Sequence, residues 1–381
     1  MTLFQDTGGD PRAARALVAD VLAWFGAVGD AAMGNAPGFA LRKASLAVAL
    51  AKTAGSSESE QHALYLAGRL HAIGAIGNRA FRKGDALPER VTRMESWDVP
   101  AQGARICETI AALPHETPDI VRWQHEAWDG TGYPDSLRWT GIPRPAQFLA
   151  LADRYLHAAD PEEVLGHIGL ESGRAFNPET VRTFTMWFHL SAGDVEIAEM
   201  PIDGLLDAPT DAQSLLERFA DLVDAHNAVD GRWRRVALLA DATAASLALS
   251  DEELHELGIA CRIFGAGEVD EPTVEDDAFD PLARLGVDHR ARNARAASAL
   301  ALPIASLRAA SAIVDARGEW FDGTGKPSGR ARKDIPIAAG VLAAAIAFER
   351  LDRGERIDTT AGTQFDPAIV RALMEVAKQR A

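Results

Sequence analysis

The chain of 381 residues contains little cysteine, with Cys107 and Cys261 as its two thiols. Two cysteines, each in an apolar helical context, supply neither a disulfide framework nor a thiolate metal site. The composition is otherwise ordinary for a globular protein, with 47% hydrophobic and 25% charged residues. We therefore expect a protein that folds by hydrophobic packing and works in a reducing compartment.

Basic residues are outnumbered, since 39 Lys and Arg face 55 Asp and Glu and the net charge is −16. A general nucleic-acid binder neutralises phosphates with clustered cations, so this balance argues against one. An acidic second messenger would need a local basic pocket, or else the cations are scattered over the surface. The residues that could form such a pocket are Arg42, Lys43, Arg69, Arg79, Arg82 and Lys83.

Long uncharged apolar runs are also missing. The N-terminus has no basic region ahead of its apolar stretch, and that stretch, residues 16–28, is interrupted by Asp20. It is shorter than the roughly 20 apolar residues that a membrane helix needs. We predict a cytoplasmic protein with no membrane span.

No segment shows the alternation of a half-buried strand. Apolar residues instead recur at spacings of three and four, which is typical of helices with one buried face. The clearest segments are 44–53, 60–70, 101–113 and 147–157 in the first half and 233–249, 251–263, 291–301 and 338–351 in the second. The sequence predicts an all-α protein.

A hexapeptide DGTGYP, beginning at Asp129, returns as DGTGKP, beginning at Asp322. The pair Ile142-Pro143 returns as Ile335-Pro336 at the same spacing, so the repeated unit is a whole domain rather than a solenoid repeat. We predict a first domain at residues 1–190, a linker at 191–213 and a second domain at 214–381. We also expect the two domains to pack as a pseudo-twofold pair, the alternative being two separate lobes.

Each hexapeptide predicts a tight loop between two helices, because glycines can take positive φ and proline stops a helix. The loop is either a retained binding surface or a turn that the fold requires. Its residues are Glu126, Asp129, Gly130, Gly132, Tyr133 and Pro134 in the first copy and Glu319, Asp322, Gly323, Gly325, Lys326 and Pro327 in the second.

The first loop and its surroundings resemble the second half of an HD-GYP domain. The resemblance rests on the stretch from His125 to Pro134, on Ile142-Pro143 and on Ala152-Asp153, and residues 70–77 are similar to the family's LHDIGKIG segment. It covers nearly all of the first repeat and, more weakly, the second. It implies an all-helical fold and hydrolysis of cyclic di-GMP with two or three metal ions.

Most of the metal ligands that the resemblance implies are replaced. In the first repeat Arg42 stands at the first histidine position, and Ala72, Ala75, Val99 and Gln124 replace further family residues. The ligands that remain are His71, His125 and Asp153. Three such side chains can hold a single zinc-like ion, and an active protein would use Fe, Mn or another divalent metal. A two-metal centre would lack its bridging carboxylate.

The second repeat retains fewer ligands. Arg262-Ile263, Arg317-Gly318 and Ile346 stand at ligand positions, and His289 alone remains. We align Arg232 with Arg42, and an arginine at a ligand position would repel a metal. These two arginines either contact phosphate or form internal salt bridges. We expect the second site to be closed by apolar side chains and the first to keep a small polar cleft.

The function expected from these residues is that of a bacterial signalling protein without catalytic activity or cofactor, which binds protein partners and could bind cyclic di-GMP. One alternative is an unorthodox metal-dependent cyclic di-GMP phosphodiesterase that uses His71, His125 and Asp153. A third is a regulatory module normally joined to an output domain.

Overall fold

A computed structural model describes residues 11–76, 98–197, 200–201, 204–206, 211–226, 229, 231–268, 287–350 and 357–380. These ranges contain α-helices, short 3₁₀ turns and two isolated bridges, and they contain no β-strand. The predicted all-α fold is confirmed. The described residues between 21 and 211 form one compact unit, and those at 11–20 and 212–380 form another.

Eight α-helices begin in the described residues of the first part of the chain. They are α1 (Pro11–Met33), α2 (Phe39–Thr53), α3 (Glu58–Arg69), α4 (Val99–Glu108), α5 (Thr117–Trp123), α6 (Arg144–Leu156), α7 (Pro161–Leu170) and α8 (Pro178–Ser191). The first residues of α1, up to Asp20, belong to the second unit, where the backbone N–H and hydroxyl of Ser306 donate to the Asp20 carboxylate.

Seven α-helices follow in the part of the second half that the structure describes. They are α9 (Ala212–His226), α10 (Arg232–Ser246), α11 (Asp251–Ile263), α12 (Val287–Ala301), α13 (Arg308–Ala316), α14 (Ile337–Arg350) and α15 (Pro367–Arg380). Helix α10 packs against α11 and α14, as α2 packs against α3 and α6 in the first unit.

Matching start signals set the helices of the two units in register. Gly38 (φ 80°) precedes α2 and Gly231 (φ 66°) precedes α10, a left-handed conformation that glycine adopts at no steric cost. Ser57 and Ser250 cap α3 and α11 by accepting a backbone N–H of the first turn. These equivalences identify which residues of the two units occupy the same place.

One helix in the described part of the chain, Arg15–Met33, is long and apolar enough to cross a membrane by length and composition. In its most apolar window 56% of the residues are buried within the protein. Val21, Trp24 and Phe25 on this helix are buried core residues, as expected for the core helix of a globular fold.

Candidate functional site

A fully buried lysine lies at the centre of the first unit. Lys43, on α2, has no exposed surface. Its ammonium donates to Oδ1 of Asp153 on α6 at 2.6 Å and to Oε1 of Gln124, just after α5, at 2.9 Å. A buried ammonium requires a paired charge and further hydrogen bonds to offset its desolvation, and both are present.

Gln124 connects this lysine to the backbone around the site. While its carbonyl oxygen accepts from Lys43, its amide nitrogen donates to the carbonyl oxygens of His71 and Val121, each at 3.0 Å. The side chain is 1% exposed. An amide has one acceptor end and one donor end, so it satisfies an ammonium on one side and carbonyls on the other.

Two neutral histidines border the cluster. The ring of His71 lies 3.0 Å from the carbonyl oxygen of Gly68 through Nδ1, which must be the donor because a carbonyl only accepts. Burial lowers the pKa of His71 well below its ordinary value, and the positive charge of Lys43 lowers it further. Burial likewise lowers the pKa of His125 to about 4. His125 stacks on Tyr133, with ring centroids 5.2 Å apart.

Asp153 is the negative charge of the site. Burial alone would raise its pKa, but the adjacent Lys43 ammonium lowers it well below the usual range, so the carboxylate is ionised at neutral pH. Burial lowers the pKa of Lys43, and Asp153 opposes that effect. The two residues therefore form an internal ion pair, in which Lys43 is fully buried and the Asp153 side chain is 25% exposed.

The arrangement does not fit a divalent metal. Lys43 places a positive charge against Asp153, the carboxylate among the three surviving ligands, and a metal ion would be repelled by that ammonium. In the part of the chain that the structure describes, no three His, Cys, Asp or Glu side chains are placed to hold a metal ion. His71, His125 and Asp153 are near enough to shift one another's pKa, yet each also lies near the Lys43 ammonium.

The expectation for Arg42 is corrected by the structure. Arg42 is exposed on α2, whereas its neighbour Lys43 points into the centre of the unit. The alignment with the ligand position was one residue off because both side chains are basic and the sequence alone does not tell which one faces inward. The predicted phosphate contact at Arg42 therefore does not belong to this cluster.

The first DGTGYP loop is held by its own acidic side chains. Both oxygens of the buried Glu126 accept backbone N–H groups, from Asp135 at 2.7 Å and Leu137 at 2.9 Å. Asp129 accepts from the backbone and hydroxyl of Thr131 at 3.0 and 2.6 Å. Gly130 has φ 83°, and a Cβ at Gly132 would lie 2.1 Å from the backbone nitrogen of Ala127. The Tyr133-Pro134 peptide is cis.

The second loop repeats these contacts. Glu319 accepts the N–H groups of Ser328 at 2.7 Å and Arg330 at 3.0 Å, and Asp322 accepts from Thr324 at 2.9 and 2.6 Å. Gly323 has φ 87°, a Cβ at Gly325 would lie 2.1 Å from the Trp320 nitrogen, and Lys326-Pro327 is cis. The same turn thus forms around Tyr133 and around Lys326, which supports a structural role for the retained residues.

The centre of the second unit has a different composition. The register set by Gly38 and Gly231 places Val236 at the position of Lys43. Gln124 donates to the carbonyl oxygen of His71 and Arg317 donates to that of Phe264, so Phe264 is at the position of His71. Val236, Phe264 and Ile346 are buried there. The guanidinium groups of Arg232 and Arg317 lie 5.3 and 5.4 Å from the Phe264 ring centroid. Apolar side chains fill this position, with two arginines against the aromatic ring.

This register also corrects the pairing of Arg232 with Arg42. Arg232 directly follows Gly231 and matches Phe39, while Arg235 matches Arg42. Arg232 is 4% exposed and lies 3.7 Å from Asp224, so it forms the internal salt bridge that was one of its two expected roles. The residues matching His71-Ala72 are Phe264-Gly265 rather than Arg262-Ile263. Arg262 instead pairs with Glu217 at 2.6 Å.

Sequence reasoning missed two residues. Lys43 was named among the cations that could form a basic pocket, but its burial and its contacts with Asp153 and Gln124 were not expected. Asn293 was not considered. Its backbone oxygen lies 2.1 Å from where a Cβ of Gly267 would be, and the backbone oxygen of Val99 lies 2.1 Å from where a Cβ of Gly74 would be, so Asn293 is at the position of Val99. The side chain of His289, and residues 79, 82 and 83, lie outside the described residues.

The fold and the centre of the first unit define a class: helical-bundle proteins that bring histidine and aspartate side chains together, here from the turns after α3 and α5 and from α6. A family model described as HD domain matches residues 16–164 and 217–369. The chain belongs to the HD domain family, and the resemblance to HD-GYP proteins is confirmed.

Relatives with described functions match parts of the chain. A cyclic di-GMP phosphodiesterase of Thermotoga maritima is 30% identical over 148 residues, covering 35% of this chain and 40% of that protein. The 3'3'-cGAMP-specific phosphodiesterase 3 of Vibrio cholerae is 26% identical over 249 residues, covering 59% and 52%. The matches span about half or less of the length of these curated relatives.

A solved structure has a similar fold. The crystal structure of a cyclic GMP-AMP specific phosphodiesterase of V. cholerae matches with a TM-score of 0.65 at 19% identity, covering 95% of this chain and 97% of that one. At this identity the likeness establishes the fold alone.

Proposed function

We propose that this chain is a non-hydrolytic relative of the cyclic dinucleotide phosphodiesterases, which regulates a cytoplasmic signalling pathway of a bacterium by binding rather than by cleavage. The observation that carries the proposal is the Lys43 ammonium, held between Asp153 and Gln124 at 2.6 and 2.9 Å. Phosphodiester hydrolysis by a metal centre needs cations that polarise phosphate and activate water. A lysine ammonium supplies charge but generates no hydroxide nucleophile.

Two further observations support binding without cleavage. The repeated loop keeps its shape in both units through Glu126 and Glu319, independently of the metal-ligand positions. The centre of the second unit has Phe264 and Val236 at the positions of His71 and Lys43. A protein that keeps the scaffold and replaces the ligands by satisfied or apolar side chains has a stable fold available for contact with a partner protein or a cyclic dinucleotide.

The second candidate is a metal-dependent cyclic dinucleotide phosphodiesterase that uses the first unit. It is favoured by the low pKa of both histidines, which leaves His71 and His125 neutral and able to donate a lone pair to Fe or Mn. In this candidate Lys43 must leave Asp153 when metal binds, which would cost the ion pair. The structure shows Lys43 in place, so we rank this candidate second.

The test is elemental analysis of the purified full chain together with hydrolysis assays on cyclic di-GMP and 3'3'-cGAMP in added Mn²⁺ and Fe²⁺. We expect no stoichiometric metal and no linear dinucleotide product. Calorimetric titration of the same nucleotides then separates a nucleotide-binding regulator from one that binds protein alone. Turnover that disappears in His125→Ala would reject the proposal and establish the second candidate.

A Lys43→Met variant provides a matched control for the assay. If the ammonium is what keeps metal away, wild-type protein should bind no Mn²⁺, whereas Lys43→Met should bind it more tightly through the freed Asp153. Equal and tight Mn²⁺ binding by both proteins would show that Lys43 does not prevent metal binding.

A further inference from the structure

The second unit has a pocket outside the ligand positions described above. Its volume is about 390 Å³, within the range of roughly 300–1,000 Å³ found for small-molecule sites. It lies between the turn at Arg332–Asp334, the start of α14 and the turn that precedes α15. Its wall is largely apolar and includes Phe321, Ile335, Phe365 and Ile369.

A glycine on α14 lines this pocket. The spacing shared by Pro143 and Pro336 places Gly340 at the position of Gln147 in the first unit. Gln147 is 8% exposed there and donates from Nε2 to the carbonyl oxygen of Ile142 at 2.8 Å. The Gln147 side chain thus occupies in the first unit the place where the second unit has Gly340 and no side chain.

The rim of the pocket carries positive charge. Arg332 and Lys333 are exposed and line the pocket, at the positions held by Trp139 and Thr140 in the first unit. The Arg332 guanidinium lies 6.0 Å from the centroid of the Phe321 ring. Within the described ranges neither cation forms an ion pair, so both are available to a ligand.

The two carboxylates that line the pocket already have donors. Both oxygens of Glu319 accept backbone N–H groups, as described for the loop. Asp366 accepts the N–H of Ala368 at 2.7 Å at the start of α15. A ligand entering this pocket therefore meets apolar rings inside and the two cations at the rim.

We propose that this pocket binds a small aromatic anion, with its rings against Phe321 and Phe365 and its acidic group at Arg332 and Lys333. Aromatic walls favour a planar apolar body, and a guanidinium pairs with carboxylate, sulfonate or phosphate oxygens. The site is independent of the HD ligand positions, so it stands whether or not the first unit hydrolyses a nucleotide.

The experiment is a fluorescence titration of the full chain with 8-anilinonaphthalene-1-sulfonate, an aromatic anion, and with the neutral N-phenyl-1-naphthylamine. We expect saturable binding of the sulfonate. Gly340→Gln should weaken it at least tenfold by placing in the second unit the side chain that the first unit has. Leu302→Gln, which removes an exposed leucine elsewhere on the same unit, is the matched control and should change nothing.

The charge requirement is tested separately. The double substitution R332Q/K333Q should weaken binding of the sulfonate at least fivefold and leave the neutral probe unchanged. Circular dichroism melting of each variant verifies the fold, and Ala343→Leu, which fills the pocket from the next turn of α14, replaces Gly340→Gln if that variant melts early. Sulfonate binding that survives both filling variants, or that ignores the loss of the two cations, overturns the proposal.

Discussion

Gln124 and Arg317 donate to the same backbone position in the two units: Gln124 to the carbonyl of His71 at 3.0 Å and Arg317 to the carbonyl of Phe264 at 3.4 Å. This hydrogen bond joins the end of α5 to the turn after α3 in the first unit, and the end of α13 to the end of α11 in the second. It is kept while the side chains around it change. In the first unit the amide also serves Lys43, and in the second the guanidinium lies against an aromatic ring. The scaffold bond and the chemistry of the centre are separable.

Removing one member of the buried ion pair should destabilise the first unit. Lys43→Met leaves the Asp153 charge without its partner, and we expect a loss of about 3 kcal/mol in the free energy of unfolding. Asp153→Asn should also destabilise, because it leaves the Lys43 ammonium buried and less well paired. Urea unfolding of both variants and of the double variant K43M/D153N gives the coupling, and the double variant should lose much less than the sum. Additive losses would show that the pair contributes no coupling.

Acidification should destabilise the protein through His125. Its pKa is about 4 in the folded state against about 6.5 in an unfolded chain, so between those values the unfolded state binds more protons. The stability present above pH 6.5 is therefore lost as pH falls toward 4, by up to about 3 kcal/mol. Urea unfolding at several pH values should show this slope reduced in His125→Gln.

Asp30 should act in the opposite direction over part of the same range. Burial raises its pKa to about 6, partly offset by the N–H of Ala40 and the Asn35 amide, so the folded state binds more protons between about pH 4 and 6. Asp30 therefore stabilises the fold as pH falls. We expect Asp30→Asn to make the acid loss of stability steeper than in wild-type protein, and a shallower profile would contradict this assignment.

The loop carboxylates should matter equally in the two units. Glu126→Gln and Glu319→Gln each replace an acceptor of two backbone N–H groups by an amide with one acceptor oxygen. Each should cost about 1–3 kcal/mol, since a buried donor is left unsatisfied. Thermal unfolding compares the two variants. A large loss from Glu126→Gln with none from Glu319→Gln would contradict an equal structural role for the two carboxylates.

The second glycine of each loop should tolerate no side chain. Gly132→Ala and Gly325→Ala place a Cβ 2.1 Å from a backbone nitrogen, which cannot move aside as a flexible side chain can. We expect each to destabilise by about 3 kcal/mol. Gly141→Ala is the matched control, since a Cβ there meets nothing within 4 Å, and its denaturation midpoint should stay near the wild-type value.

Periodicity and the repeated hexapeptide were enough to predict the helices, because apolar spacing is a local property of the chain. The second loop was predictable for the same reason, since Asp322 and Gly325 form the same turn as the matching residues of the first loop. Which face of α2 turns inward was not predictable from basic residues at adjacent positions, so Arg42 was taken for Lys43. The pairing of Arg232 with Arg42 was three residues off, since Arg42 matches Arg235, and the arginines at both 232 and 235 left the register open in the sequence.

The Lys43 ammonium is a covalent part of the chain rather than a bound ion. It is present in every copy of the polypeptide at a ratio of one to one, whatever the supply of iron or manganese. A chelator cannot withdraw it, a competing metal cannot exchange with it, and oxidation does not change its charge. The first unit therefore has a charge-balanced interior from the moment it folds, and its ion pair does not depend on metal homeostasis.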